Sequence, residues 1–230
     1  MKTNFRFSIW MAIMMIASTV GVRAQNTFFP TKAGMVLVYA QNEKGKTKGY
    51  SQLTIKNVEG SGNNMTITYG VQILDKDKKA PNPPFEAQCK VIVQNGVTIL
   101  DMSQMFSGMQ KDQTIKMEIT GMPMELPGDM QPGQSLKDAN MTMSIDLGFT
   151  KMNTTMTMTN GKCLAIEDVT VPGGTFKCYK ITQTVSTTIM GKTVVSTTLS
   201  WYAPGIGTVK SETYNSKDQL QSSQELVEMK

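Results

Sequence analysis

Strict alternation of apolar and polar residues is the feature that most restricts what this chain can become. Met65, Ile67, Tyr69, Val71 and Ile73 alternate with Thr66, Thr68, Gly70 and Gln72. Successive side chains of a strand point to opposite faces, so the apolar set lines one side of a half-buried strand. The same period runs through Phe85, Ala87, Cys89, Val91 and Val93, through Ile115, Met117 and Ile119, and through Met141, Met143, Ile145, Leu147 and Phe149. Turn signals separate the runs. Asn95-Gly96 and Asn160-Gly161 tolerate the positive φ angles of tight hairpins, whereas Gly60-Ser61-Gly62-Asn63-Asn64 and Pro172-Gly173-Gly174 predict looser or bulged reversals. The expectation is a mainly β fold, a single curved antiparallel sheet or open half-barrel.

One segment departs from this period. Asp101 can cap a helical turn with Gln104 three residues on, and Met102, Met105, Phe106 and Met109 share one helical face. A short helix over about 102–109 is expected. After it, Gly121 to Gln134 carries Pro123, Pro127 and Pro132; prolines lack a ladder donor, so this stretch reads as a connection and not as a central strand. N-terminal strands over about 35–100 and C-terminal strands over about 112–229 then form one domain, 25–230.

The first 24 residues read as a secretory signal. Lys2 and Arg6 give a basic start, Ile9 to Val20 a short apolar run, and Val22-Arg23-Ala24 small residues before a cut at Gln25. That run falls short of the roughly 20 residues that cross a bilayer. The first cysteine is Cys89, so no lipid acceptor follows the run. The expected location is the periplasm, with the protein neither a lipoprotein nor an integral membrane protein. Removing Lys2, Arg6 and Arg23 from 23 basic residues leaves 20 against 18 acidic ones, a net charge of +2. Such a balance argues against nucleic acid as a partner.

Beyond Arg23 the chain contains neither arginine nor histidine. The usual general base near neutral pH and the bidentate reader of phosphate are therefore both missing. No phosphate loop, nucleophile elbow or Ser-x-x-Lys signature occurs. Glu118, Glu125, Asp138, Asp146, Glu167 and Asp168 could supply a carboxylate pair, but strand faces and loops solvate such groups by default. The Asp75-Lys76-Asp77-Lys78-Lys79 run lacks the Gly and distal Glu of a calcium loop. We expect no enzymatic function, no catalytic residues, no resident metal and no cofactor.

Of the three cysteines, Cys163 and Cys178 are the nearest in sequence. A hairpin closed by Pro172-Gly173-Gly174 sets Cys178 opposite Asp168, about 17 Å from Cys163 at roughly 3.3 Å per residue. A bridge needs Cα atoms within about 7 Å, so it requires a bent or broken strand. Cys89 is open as a partner to either.

Methionine is over-represented: twelve lie between Met102 and Met158, including Met122/Met124, Met141/Met143 and Met156/Met158. Thioethers suit Cu(I). Alternating strands also use Met as an adaptable hydrophobe, and a sheet lined with it can accept apolar ligands of varied shape. The candidate lining is Met65, Ile67, Tyr69, Met117, Met141, Met143, Met156, Met158 and Trp201.

Two corners carry family-like wording: Pro172-Gly-Gly-Thr-Phe-Lys-Cys-Tyr-Lys-Ile181 and Trp201-Tyr-Ala-Pro-Gly-Ile-Gly-Thr-Val-Lys-Ser-Glu212. They resemble the TapB family of exported Gram-negative proteins, with Gly173 where relatives often carry Ala. The resemblance implies an open, strongly curved sheet with a short helix near its concave side, similar to LolA and LolB lipoprotein carriers. An unclosed barrel exposes an apolar concave face to be filled by that helix or by a guest. The resulting expectation is a non-enzymatic exported module that binds a lipid or another apolar ligand, or partners an envelope protein. A Met-based Cu(I) protein is the alternative.

Overall fold

The computed structural model describes residues 26–81, 86–101, 116–146 and 151–230. Every regular element among them is a strand: β1 (Val36–Glu43), β2 (Lys46–Ser61), β3 (Asn64–Leu74), β4 (Glu86–Gln94), β5 (Val97–Leu100), β6 (Lys116–Met122), β7 (Met124–Pro127), β8 (Ala139–Asp146), β9 (Lys151–Val171), β10 (Gly174–Ile189), β11 (Lys192–Ala203), β12 (Gly207–Asn215) and β13 (Leu220–Met229). The expected helix over 102–109 lies outside the described residues.

The strands form one sheet in the order β6-β8-β9-β10-β11-β12-β13-β1-β2-β3-β4-β5-β7. All neighbours are antiparallel, and β13 pairs with β1, as Tyr39 opposite Leu226 shows. The two outermost strands, β6 and β7, are consecutive in the chain with only Pro123 between them. Thirteen strands alternating in direction leave the first and last pointing the same way. Residues 116–127 are therefore a single path: β6 pairs with β8 and β7 with β5. Pro123 lies where the chain passes from one edge of the sheet to the other.

This corrects the half-barrel expectation, because a path shared by both edges draws the sheet round into a nearly closed barrel. It also places a four-residue strand, β7, inside the proline-rich stretch read as a connection. β7 holds only an edge position, with Pro127 at its last pairing, opposite Val97. β4 pairs with β5 only from Val91 to Gln94; among the described residues the rest of β4, Glu86 to Lys90, pairs with β3 alone.

Turn chemistry explains most connections. Asn95-Gly96 closes β4 on β5 with φ of 50° and 75°, the left-handed pair that a type I′ turn demands. Gly62-Asn63 closes β2 on β3 as a tight two-residue turn and not a loose one. Asn160-Gly161 is no hairpin. It sits within the 21-residue β9 as a bulge, where the register against β10 shifts between Thr182 and Thr184. Asn160 at φ 55° satisfies a bulge as well as a turn, which is why the dipeptide misleads.

One end of the barrel is plugged by the segment that precedes β1. Phe28 donates its backbone N–H to Thr98 Oγ1 at 3.0 Å, and Thr27 accepts from Gly205 N at 2.7 Å. Phe28 is wholly buried among Met124, Leu126, Met130, Leu136 and Tyr202, while Phe29 enters a second cluster with Ile55, Ile67, Tyr69 and Val91. Adjacent aromatics thus seal both halves of the lumen floor. At the opposite end lie the β1–β2, β10–β11 and β12–β13 turns.

Candidate functional site

The Met-rich strands form the wall above this floor. Met141 pairs with Met156 and Ala139 with Met158 across β8 and β9, while Met143 faces Thr154. Paired residues share a face, so Met141, Met143, Met156 and Met158 lie in neighbouring rows on one side. That side is the interior, since Ala139 is buried in the Phe28 cluster and Met158 packs against it. The rows continue into β10, where Val185 pairs with Met158 and Thr187 with Met156. Beyond them, a surface concavity of about 490 Å3 on the β10–β11 hairpin is lined by Thr187, Ile189, Met190, Lys192 and Val194, and by none of these four methionines. Deeper, against the plug, a cavity of about 110 Å3 is bounded by Phe28, Phe29, Tyr39, Leu53, Leu100, Tyr202 and their neighbours.

The other face of the same strands is polar: Thr142, Thr155, Thr188 and Thr193 form one cross-strand row. Its hydroxyls bond to each other, Thr188 to Thr193 at 2.8 Å. The alternation thus separates a thioether lining from a hydroxyl exterior.

The other candidate residues divide between two places. Met65, Ile67 and Tyr69 are buried on the far wall with Phe29, Cys89, Val91 and Val93, set apart from the Met rows by the Phe28 cluster. Met117 is the register partner of Ile145 on β6. Trp201 does not join the lining. The next residue, Tyr202, packs into the Phe28 cluster, so Trp201 points to the other side of β11, among Leu37, Cys178, Val209 and Leu226. There its indole donates to Glu167 Oε1 at 2.7 Å, with the Lys180 and Lys210 ammonium groups 5.0 and 5.3 Å from the ring centroid. Lys210 also bonds Glu212 at 2.8 Å and Tyr214 donates to the same carboxylate at 2.7 Å. Burial works to raise the Glu212 carboxyl, yet these two hydrogen bonds hold it below the usual range.

Interior residues that sequence reasoning missed are Phe28, Tyr179 and Tyr202. Phe28 packs edge-on against both tyrosines, with centroids 5.0 and 6.5 Å away. The adjacent Phe28-Phe29 pair was the available signal; it lies outside any alternating run.

The three cysteines are buried, and none is in a disulfide. Pro172-Gly173 makes a turn one residue shorter than expected, so Cys178 faces Glu167, not Asp168, and Cys163 faces Ile181. Burial, followed by the nearby Asp168 and Glu167 charges, pushes the Cys178 thiol up to about 12. Among the described residues no three His, Cys, Asp or Glu side chains converge as a metal site, and no helix is long and apolar enough to cross a membrane.

Fold and lining together define a class of antiparallel β protein, a nearly closed barrel plugged at one end. Within that class, the sequence matches the DUF3108-like family over residues 32–226, and the chain belongs to it. No curated protein matches it in sequence. Two solved structures share the fold. A Bacteroides fragilis protein, provisionally named an exported protein with a YmcC-like fold, aligns with a TM-score of 0.72 at 20% identity, covering 89% of this chain and 99% of that one. A Parabacteroides distasonis protein, provisionally named a lipoprotein, aligns with a TM-score of 0.73 at 21% identity, covering 90% and 99%.

Proposed function

We propose that the protein is a non-enzymatic, periplasmic binding module that holds a lipid or other apolar ligand against the Met-rich wall. The observation that carries this reading is the gathering of Met141, Met143, Met156 and Met158 on one interior face of the barrel. Unbranched thioether side chains adapt to guests of varied outline. The resemblance to TapB proteins and to LolA and LolB carriers supports the same reading, as do the exported-protein and lipoprotein names of the two fold neighbours.

Native mass spectrometry of protein taken from its own host tests it. Lipid-sized adducts are expected, together with enhanced emission from a fluorescent fatty acid, and Met156→Asp should weaken that probe at least tenfold. Clean apo protein that leaves the probe dark would end the proposal. A second reading rests on Met141 facing Met156, which sets two soft donors side by side. Cu(I) titration against a competing chelator decides it: binding no tighter than that of a Met-free control removes copper.

A further inference from the structure

We propose that the turn-bearing end of the barrel docks on an anionic lipid surface. The β10–β11 hairpin enters the acyl region, and lysines of the β1–β2 hairpin rest among the headgroups. Among the described residues the two most exposed large apolar side chains sit on the first of these hairpins, Met190 at 75% and Val194 at 67%, with Ile189 at 47% and Val195 at 46% beside them; Ile73 at 58% and Met122 at 53% lie elsewhere. Their placement matters more than their number. Val194 pairs with Thr187 on the concave face, together with Ile189, whereas Val195 pairs with Ser186 on the other face, and Met190 forms the turn itself at φ 48°. Thr188 and Thr193 share the outer face with Val195, so the apolar exposure is concentrated at the tip and on the concave face, as for a hairpin whose end alone dips into an apolar medium. Pairing of β11 with β12 begins only at Ser196, so Lys192 to Val195 stand clear of that neighbour.

Charge selects the sign of the surface. No acidic residue occurs between Asp168 and Glu212, and Lys192 at the hairpin tip is the one charge between Lys180 and Lys210. A lysine there can bury its stem and keep its ammonium at headgroup level. The alternating order brings the β1–β2 turn to the same end, three strand intervals from β11, roughly 14 Å at about 4.8 Å each. Lys44, Lys46 and Lys48 are all exposed there against the single Glu43. In the β12–β13 turn between them, Lys217 and Asp218 offset one another. An apolar tip beside a basic cluster is the combination that holds peripheral proteins on anionic membranes.

Co-sedimentation of the exported, processed chain with vesicles tests this, using phosphatidylglycerol mixed into phosphatidylcholine or phosphatidylcholine alone. The wild type is expected to pellet with the anionic vesicles and to be released by salt. Met190→Asp with Val194→Asp should weaken binding at least tenfold, and Lys44→Glu, Lys46→Glu, Lys48→Glu should abolish the preference for phosphatidylglycerol. Thermal melts check that these exposed substitutions leave the fold intact; should the double variant fail to fold, Met190→Trp decides, its fluorescence being quenched by brominated acyl chains. A wild type that stays in the supernatant overturns the inference, as do variants that bind like wild type. So does a lipid-free dimer that Met190→Asp converts to monomer without altering vesicle binding. Without vesicles, Met156→Asp weakens the fatty-acid probe while Met190→Asp with Val194→Asp leaves it unchanged, so the interior site and the docking end fail separately.

Discussion

Trp201 joins two roles in one side chain: its ring fills a buried site between strands, and its single donor meets Glu167. Trp201→Phe keeps a π face for Lys180 and Lys210 but removes the donor. A loss of about 1 kcal/mol is expected, the usual net worth of one hydrogen bond, and urea denaturation would read it. Leu126, with no exposed surface at the centre of the Phe28 cluster, should cost about 2–5 kcal/mol as Leu126→Ala in the same assay. Cys178, held near 12 and buried, should resist a thiol reagent at pH 8 until the protein is unfolded. At this scale the sequence was informative about which residues are apolar and poor about which neighbours they find. Trp201 looked like lining because tryptophan in a strand is usually buried, yet burial on either face satisfies that expectation.

Elements were legible where the period was clean and misleading where a local signal serves two structures. The Met65 to Ile73 alternation gave β3, and the Met141 to Ile145 alternation gave β8. Asn160-Gly161 gave a bulge, because the left-handed angle it favours is common to hairpins and bulges. The loop that follows β7 shows how backbone packing, invisible in a one-dimensional pattern, fixes a connection. A Cβ on Gly128 would lie 2.5 Å from Asn26 O and 2.6 Å from Gly96 O, both rigid backbone atoms. The same residue accepts from Asn26 N at 3.0 Å and donates to Gly96 O at 2.9 Å. Gly128→Ala should therefore loosen the plug, with a lower melting temperature and faster amide exchange at Asn26.

Across the whole molecule, burial sets the pH response. Tyr39, Tyr69, Tyr202 and the three cysteines are all pushed up, chiefly by desolvation. Groups raised in the fold keep their stabilising effect below their unfolded values, roughly 8.5 for Cys and 10 for Tyr. That effect is lost as pH climbs toward the folded values, so denaturant midpoints should fall steadily above about pH 8.5. On the acid side Glu228, held at about 2 by hydrogen bonds from Lys230 and Lys78, adds a contribution that fades as pH drops from roughly 4.3 toward 2. Overall closure escaped the sequence, since no periodicity tells which edges meet. The single residue between β6 and β7 is intelligible only after both edges are seen.

That one-residue link gives the barrel an adjustable seam. Among the described residues the seven of β6 are held through one ladder, to β8, whereas β11 and its kind are held from two sides. Parting that ladder opens the wall along β6 at the expense of its backbone bonds, and leaves the ladders among the other described strands in place.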